Sequence, residues 1–300
     1  MTQSMQSTQN TLAACAAELA AGGSIEMSPE RAADAPAIAA LLPAGTRVYV
    51  HHLPRNGLAA TLEAMRALRA VGLEPVPHIA ARRLASRQEL SEFLRAAVHE
   101  HAVTKLLLIG GDDPEPQGPY ADGIAVSREG LLAQAGVREV GLPGYPEGHP
   151  RIPQVALDQA LSDKLALARS QGLKASIVTQ FSFAPARVVE YCNELARKAP
   201  GVPVYVGMAG PTDAASLLRF AQRCGVSASL RAMGAQGMGA VRLFMHTDPM
   251  EQLSAVAQYC LRVADGNVVG AHLFSFDAAL KAAAWMNKVI AAGTAAADSR

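Results

Sequence analysis

No long basic run, no closely spaced cysteine pair and no convincing leader or spanning segment occur in this 300-residue chain, and its formal net charge is only +1. A balanced charge without a clustered basic stripe gives nucleic acid no electrostatic footprint. Cys15, Cys192, Cys224 and Cys260 are too widely spaced for a zinc site or a redox pair, so they read as reduced, mostly buried thiols. The first ten residues are polar and Gln/Ser-rich, and residues 11–21 form an Ala-rich helical stretch without a basic head. That stretch reads as neither a signal peptide nor a membrane span, which leaves the cytoplasm as the expected location. No aromatic-basic pattern or exposed amphipathic stripe argues for a macromolecular partner, and a homo-oligomer is left open.

What is present is ordinary globular material. Hydrophobic residues make up 50% of the chain and charged ones 18%, enough for a sizeable core in one large α/β domain. Short β-branched runs alternate with longer Ala/Leu/Arg-rich amphipathic segments, the pattern of parallel strands joined by crossover helices. Strands are expected at 24–27, 47–51, 74–79, 105–109, 137–142, 175–180, 202–206 and 269–274. Helices are expected at 29–42, 58–71, 87–101, 127–135, 155–171, 185–198, 212–224 and 276–290. Start signals support several of them, such as Ser28 before Pro29 and Ser86 before Glu89.

Eight β/α units in about 300 residues predict a (β/α)8 TIM barrel, with a doubly wound open sheet as the alternative. The Gly- and Met-rich segment 226–249, followed by an amphipathic helix at 250–263, reads as a small insertion before the last strand. The division is then an N-terminal extension at 1–22, a single catalytic barrel at 23–292 and a flexible tail at 293–300, with the alanines of 291–297 fraying.

A barrel gathers the C-terminal ends of its strands at one mouth, so polar residues there can share a site even when far apart in sequence. Glu26 lies in the first expected strand, His51 and His52 end the second, and His78 ends the third. Gly110-Gly111-Asp112-Asp113 follows the fourth, Tyr145-Pro146-Glu147-Gly148-His149-Pro150 the fifth, and Thr179-Gln180 closes the sixth. Prolines in the fifth loop fix φ and remove backbone donors, so that loop is shaped to present side chains rather than to continue a ladder.

Glu26, between Ile25 and Met27, stands on a segment that should be buried. Without an ionic partner its neutral form would be favoured and its pKa raised, which suits a proton donor near neutral pH; a partner Arg or Lys would keep it ionised. Gln180 offers both a donor and an acceptor to the amide-like edge of a heterocycle, and Phe181 and Phe183 are either an aromatic wall beside it or core. A metal is not expected: His51-His52 with His78 is the only cluster resembling a ligand set, and it reads as mouth-lining hydrogen bonders.

These residues carry a resemblance to the methylenetetrahydrofolate reductase family. The matching pieces are Ser24-Ile25-Glu26-Met27-Ser28-Pro29, Pro77-His78-Ile79, Gly111-Asp112, Tyr145-Pro146-Glu147-Gly148-His149-Pro150 and Thr179-Gln180-Phe181, in family order and across most of the barrel. The resemblance implies an oxidoreductase of one-carbon and methionine metabolism. It would interconvert 5,10-methylenetetrahydrofolate and 5-methyltetrahydrofolate with NADH or NADPH, through FAD.

Glu26 would be the general acid that opens the imidazolidine ring, Asp112 would lie near flavin and pterin, and Gln180 would bind the pterin. His51, His78, Gly110, Gly111, Tyr145, His149, Asp158 and Lys164 would fall at or near flavin-lining positions. The chain departs from the family where Gly110 replaces an Arg, where a Lys is missing near Ala168 with Lys164 and Arg169 nearby, and where Ala278 replaces an Arg. The fewer cations weaken the hold on a pyrophosphate.

Flavin-free hydride transfer, a pterin-binding methyltransferase and a non-catalytic folate-binding barrel are therefore the alternatives. A regulatory region for S-adenosylmethionine is not expected.

Overall fold

The computed structural model describes residues 2–53, 57–213, 215–217, 219, 226 and 248–298. Its centre is a closed barrel of eight parallel strands, in which each strand pairs with its neighbour in sequence and the first pairs with the last. The strands are β1 (Ser24–Met27), β2 (Arg47–Val50), β3 (Glu74–Ala80), β4 (Lys105–Ile109), β5 (Glu139–Gly144), β6 (Lys174–Thr179), β7 (Val204–Ala209) and β8 (Val268–Phe274). All eight strands of the sequence reading are there, and the closure excludes the open sheet.

The helices are α1 (Thr2–Ala21), α2 (Ala35–Ala39), α3 (Gly57–Ala70), α4 (Arg87–His99), α5 (Gly123–Arg128), α6 (Leu131–Gln134), α7 (Gln154–Ser170), α8 (Pro185–Lys198), α9 (Met250–Arg262) and α10 (Ala279–Asp298). Two differ from expectation for local reasons. The single helix expected at 29–42 is a 3-10 segment, Pro29–Asp34, followed by the short α2. Pro36 lacks an N–H and its ring crowds the carbonyl four residues back, so one continuous helix cannot pass through it. The helix expected at 127–135 is split into α5 and α6 by Gly130, which sits at φ +70°.

Strand β5 runs two residues past its expected end, through Pro143. Its pairing with β4 stops at Gly141 while that with β6 continues to Gly144, so Pro143 lies beyond the β4 ladder and its missing N–H breaks nothing there. The alanines expected to fray are helical, because α10 continues to Asp298 and lies against α1. A Cβ on Gly293 would come within 2.1 Å of Ala17 Cβ, so only glycine allows that approach. Most of the helix expected at 212–224, and the insertion at 226–249, lie outside the described residues. Among the described residues no helix is long and apolar enough to cross a membrane.

Side chains alternate in and out along a strand with a period of two. The inward rows build the barrel in layers. Tyr49, Val76, Leu107, Val178 and Tyr205 form one apolar cluster inside it. At its N-terminal end, Arg47 donates to the Tyr205 hydroxyl and to the carbonyl of Gly22, while Lys105 pairs with Glu139 at 2.7 Å. One step further along the strands toward the C-terminal mouth come Glu26, His51, His78, Ile109 and Gln180. The outward rows of the strands join the main core with the surrounding helices.

Candidate active site at the barrel mouth

Glu26 is 5% exposed and meets imidazoles from three other strands or strand ends. His51 Nε2 lies 2.9 Å from Oε2, His272 Nε2 lies 3.3 Å from Oε1, and His78 Nε2 stands 3.9 Å from Oε1. Nδ1 of His272 is 2.8 Å from Ser24 Oγ, across the seam where Ser24 registers with His272 and the barrel closes. Tyr49 packs edge-on against His272 and His78 from the layer beneath.

Burial alone would push the Glu26 carboxyl up. The imidazoles of His51 and His272 outweigh it, and the group sits well below the usual carboxylate range. This corrects the sequence expectation of a raised pKa, since the partners come from β8 and the end of β2. Burial holds His78 down at about 3 against the pull of Glu26. His52 faces away from Glu26: its Nδ1 accepts from the amide of Ala80, and burial, then Arg83, lowers it to about 4.

The mouth opens into a cavity of about 770 Å³. Glu26, His78, Gly110, Gly111, Asp112, Tyr145, His149 and Gln180 all line it, so eight of the residues selected from sequence converge on one space. Gln180 Oε1 accepts from the amide of Phe181 at 3.1 Å, which leaves its NH2 group turned to donate. Burial and the Asp112 carboxylate push the Tyr145 phenol up to about 12, while burial lowers His149.

Arg82 donates to the carbonyls of Asp113, Pro114 and Ala121, and Arg83 pairs with Asp113 at 2.7 Å. Together they tie down the loop that carries Asp112.

Other selected residues are placed elsewhere. Phe181 is fully buried in an aromatic cluster with Phe183, Phe274 and Phe276. It is Phe274 that reaches the cavity, with Phe181 packed edge-on behind it. Asp158 lies on α7 and pairs with Lys198 at 2.8 Å, outside the cavity lining. Lys164 is also outside it; burial lowers it to about 8 against the pull of Asp122.

Sequence reasoning assigned no role to His272, Arg82 or Phe274. The period of two along β8, counted against Glu26 in β1, was the signal that could have turned His272 and Phe274 inward.

The resemblance implies FAD, and the ring end of that cofactor suits the Tyr145, His149 and Ile109 surfaces. The pyrophosphate end does not fit. Among the described cavity-lining residues the guanidinium groups are Arg82, whose nitrogens serve loop carbonyls, and exposed Arg151, against the carboxylates of Glu26, Asp112, Asp113 and Asp122. A tightly held dianion needs several free charge-assisted donors, and among the described lining residues only the Arg151 guanidinium is placed to be one.

Thiolate chemistry is no better placed. Cys15, Cys192 and Cys260 lie on α1, α8 and α9, outside the barrel, and burial raises each thiol, Cys192 to about 12. Cys224 is outside the described residues.

Fold and site together define the class: a (β/α)8 barrel with a carboxylate–histidine centre beneath an open, polar mouth. No family model matches the chain. Among solved structures it is similar to an uncharacterized protein from Clostridium thermocellum that binds two copies of 5-methyl-5,6,7,8-tetrahydrofolic acid, at 12% identity and TM-score 0.62, over 89% of this chain and 94% of that one. A looser likeness is to dihydropteroate synthase from Thermus thermophilus, at 15% identity and TM-score 0.46, over 88% and 91% of the two chains. At such identities the first likeness is one of fold, and the second carries no argument.

Proposed function

We propose that the protein is a folate oxidoreductase that interconverts 5,10-methylenetetrahydrofolate and 5-methyltetrahydrofolate with a nicotinamide nucleotide. The observation that carries this reading is a buried, histidine-bound carboxylate, Glu26, opening into the same cavity as Gln180 and Asp112. The folate-binding barrel of similar fold supports the substrate class.

In the reductive direction a proton delivered through Glu26 goes to N10, the bond between N10 and the methylene carbon breaks, and an N5 iminium cation forms. Hydride from the nicotinamide then adds to the methylene carbon and gives the methyl group. Gln180 donates from its NH2 to an acceptor on the pterin edge, and the Asp112 carboxylate at the rim stabilises the cation as it develops.

The poor match to a resident pyrophosphate favours direct transfer from a nicotinamide that visits the mouth, since a co-substrate needs only transient binding. The test is anaerobic oxidation of NADH or NADPH, with and without 5,10-methylenetetrahydrofolate, in parallel with and without added FAD. Folate-dependent oxidation that FAD does not change is the expected result. Oxidation only with FAD overturns direct transfer, and none under any condition, with folate still bound, leaves a binding protein.

A further inference from the structure

The three imidazoles around Glu26 differ in their access to water. The side chain of His272 is 0% exposed, that of His78 8% and that of His51 20%. A proton exchanging between Glu26 and solvent through these side chains therefore has its most open route through His51.

Hydrogen bonding separates them further. With the carboxylate accepting from Nε2–H of His272, the bare Nδ1 accepts from the Ser24 hydroxyl, so one tautomer satisfies both neighbours without an added proton. His78 is held neutral by burial, and its Nε2 has no hydrogen-bond partner among the described residues.

His51 remains, facing Glu26 from β1 at hydrogen-bond distance, His78 from β3 at 5.4 Å between ring centroids, and His272 from β8 beyond the carboxylate. His52, its chain neighbour, turns to Ala80, with Arg83 already paired to Asp113. Thr61 on α3 donates to the His51 backbone carbonyl.

We propose that Glu26 and His51 hold one proton between them as a carboxylate–imidazolium pair, and that His51 is the positioning residue that resupplies Glu26 with the proton spent on folate N10. The destination of the proton rests on the folate reading; the existence of the pair does not. It accounts for a general acid whose carboxyl is ionised at rest: the proton waits on the imidazole and passes along the 2.9 Å hydrogen bond when N10 gains basicity.

In the reductive direction, His51 gives its proton to Glu26, Glu26 gives it to N10, and His51 takes one from water. One proton is consumed for each hydride transferred. The oxidative direction runs the same chain outward, so the two directions depend on pH with opposite sign. Reduction slows as rising pH empties the pair, and oxidation slows as falling pH fills it.

The test is a pH titration of imidazole nitrogen shifts in full-length protein labelled with ¹⁵N-histidine, for wild type, His51→Gln and Glu26→Gln. The signal missing from His51→Gln is expected to be protonated at pH 7 in wild type. It should lose its proton at least about one pH unit lower in Glu26→Gln, the size of shift that one close opposite charge produces. In His51→Gln, kcat should fall about 10²-fold, as for loss of a proton-transfer partner, with the alkaline limb displaced and affinity for 5-methyltetrahydrofolate unchanged.

A neutral His51 at pH 7 in wild type, or a titration indifferent to Glu26→Gln, overturns the pair. If His51→Gln does not fold, His272→Gln and His78→Gln identify the signals of the other two imidazoles on Glu26, and the remaining signal that moves in Glu26→Gln decides it. A wild type that oxidises no nicotinamide with folate overturns the proton's destination, while the titration separately decides whether the pair holds the proton.

Discussion

At the residue scale, the proposed chemistry turns on one carboxylate. Glu26→Gln keeps the shape and removes the charge, leaving His51 and His272 against an amide. Turnover should fall by about 10²- to 10⁴-fold, the usual worth of a positioned acid or base, while 5-methyltetrahydrofolate still binds by calorimetry. Unchanged turnover would remove Glu26 from the chemistry. Gln180→Ala should instead weaken folate binding by roughly fivefold to tenfold, about one net hydrogen bond, which the same titration measures.

Burial of Glu26 was legible in sequence from Ile25 and Met27 on either side. Its ionisation was not, because the deciding imidazoles lie 25 and 246 positions away. Phe181 and Phe183 show the same limit: aromatic character was evident, but which ring reaches the cavity depends on how β6 and β8 sit together.

At the element scale, the site depends on close approach between strands. A Cβ on Gly207 in β7 would lie 1.9 Å from the Thr179 carbonyl and 2.8 Å from Phe274, which faces the cavity. Gly207→Ala should therefore destabilise the fold by about 1–3 kcal/mol and weaken folate binding together, as overpacking does. Chemical denaturation and calorimetry on one preparation check this, and a variant with unchanged stability and affinity would contradict it.

Arg82→Ala frees three loop carbonyls and should lower affinity for folate through the loop that carries Asp112. Retained affinity would make that clamp irrelevant to the site. Strand positions were readable because apolar, β-branched runs between turn residues carry their own signal. The breaks at Pro36 and Gly130 were written in the sequence too, but the amphipathic pattern running across them obscured both.

At the scale of the whole molecule, closure was implied by the count of eight β/α units but fixed only by the pairing of β1 with β8. That pairing also sets Ser24 against His272, so the same long-range contact closes the barrel and holds Glu26.

Burying histidines has a cost in acid. His52 and His78 take up protons at about 4 and about 3 when folded, against about 6.5 in an unfolded chain. Their folded pKa values are depressed, so the unfolded chain binds more protons in this window and stability falls as pH drops from about 6.5 toward 4. Each group contributes a slope of up to about 1.4 kcal/mol per pH unit. Thermal melts should show a lower Tm at pH 5 than at pH 7.5, with a shallower dependence in His78→Gln; an equal or higher Tm at pH 5 would contradict the neutral burial of these rings.

The most direct test of the whole account is to count products. Anaerobic reactions of wild type and Glu26→Gln with NADH or NADPH and 5,10-methylenetetrahydrofolate are quenched, and 5-methyltetrahydrofolate is quantified by mass spectrometry against nicotinamide oxidised. One 5-methyltetrahydrofolate per nicotinamide is expected in wild type, with a rate at least about 10²-fold lower in Glu26→Gln. No 5-methyltetrahydrofolate from wild type, or equal yields from both proteins at equal times, would contradict it.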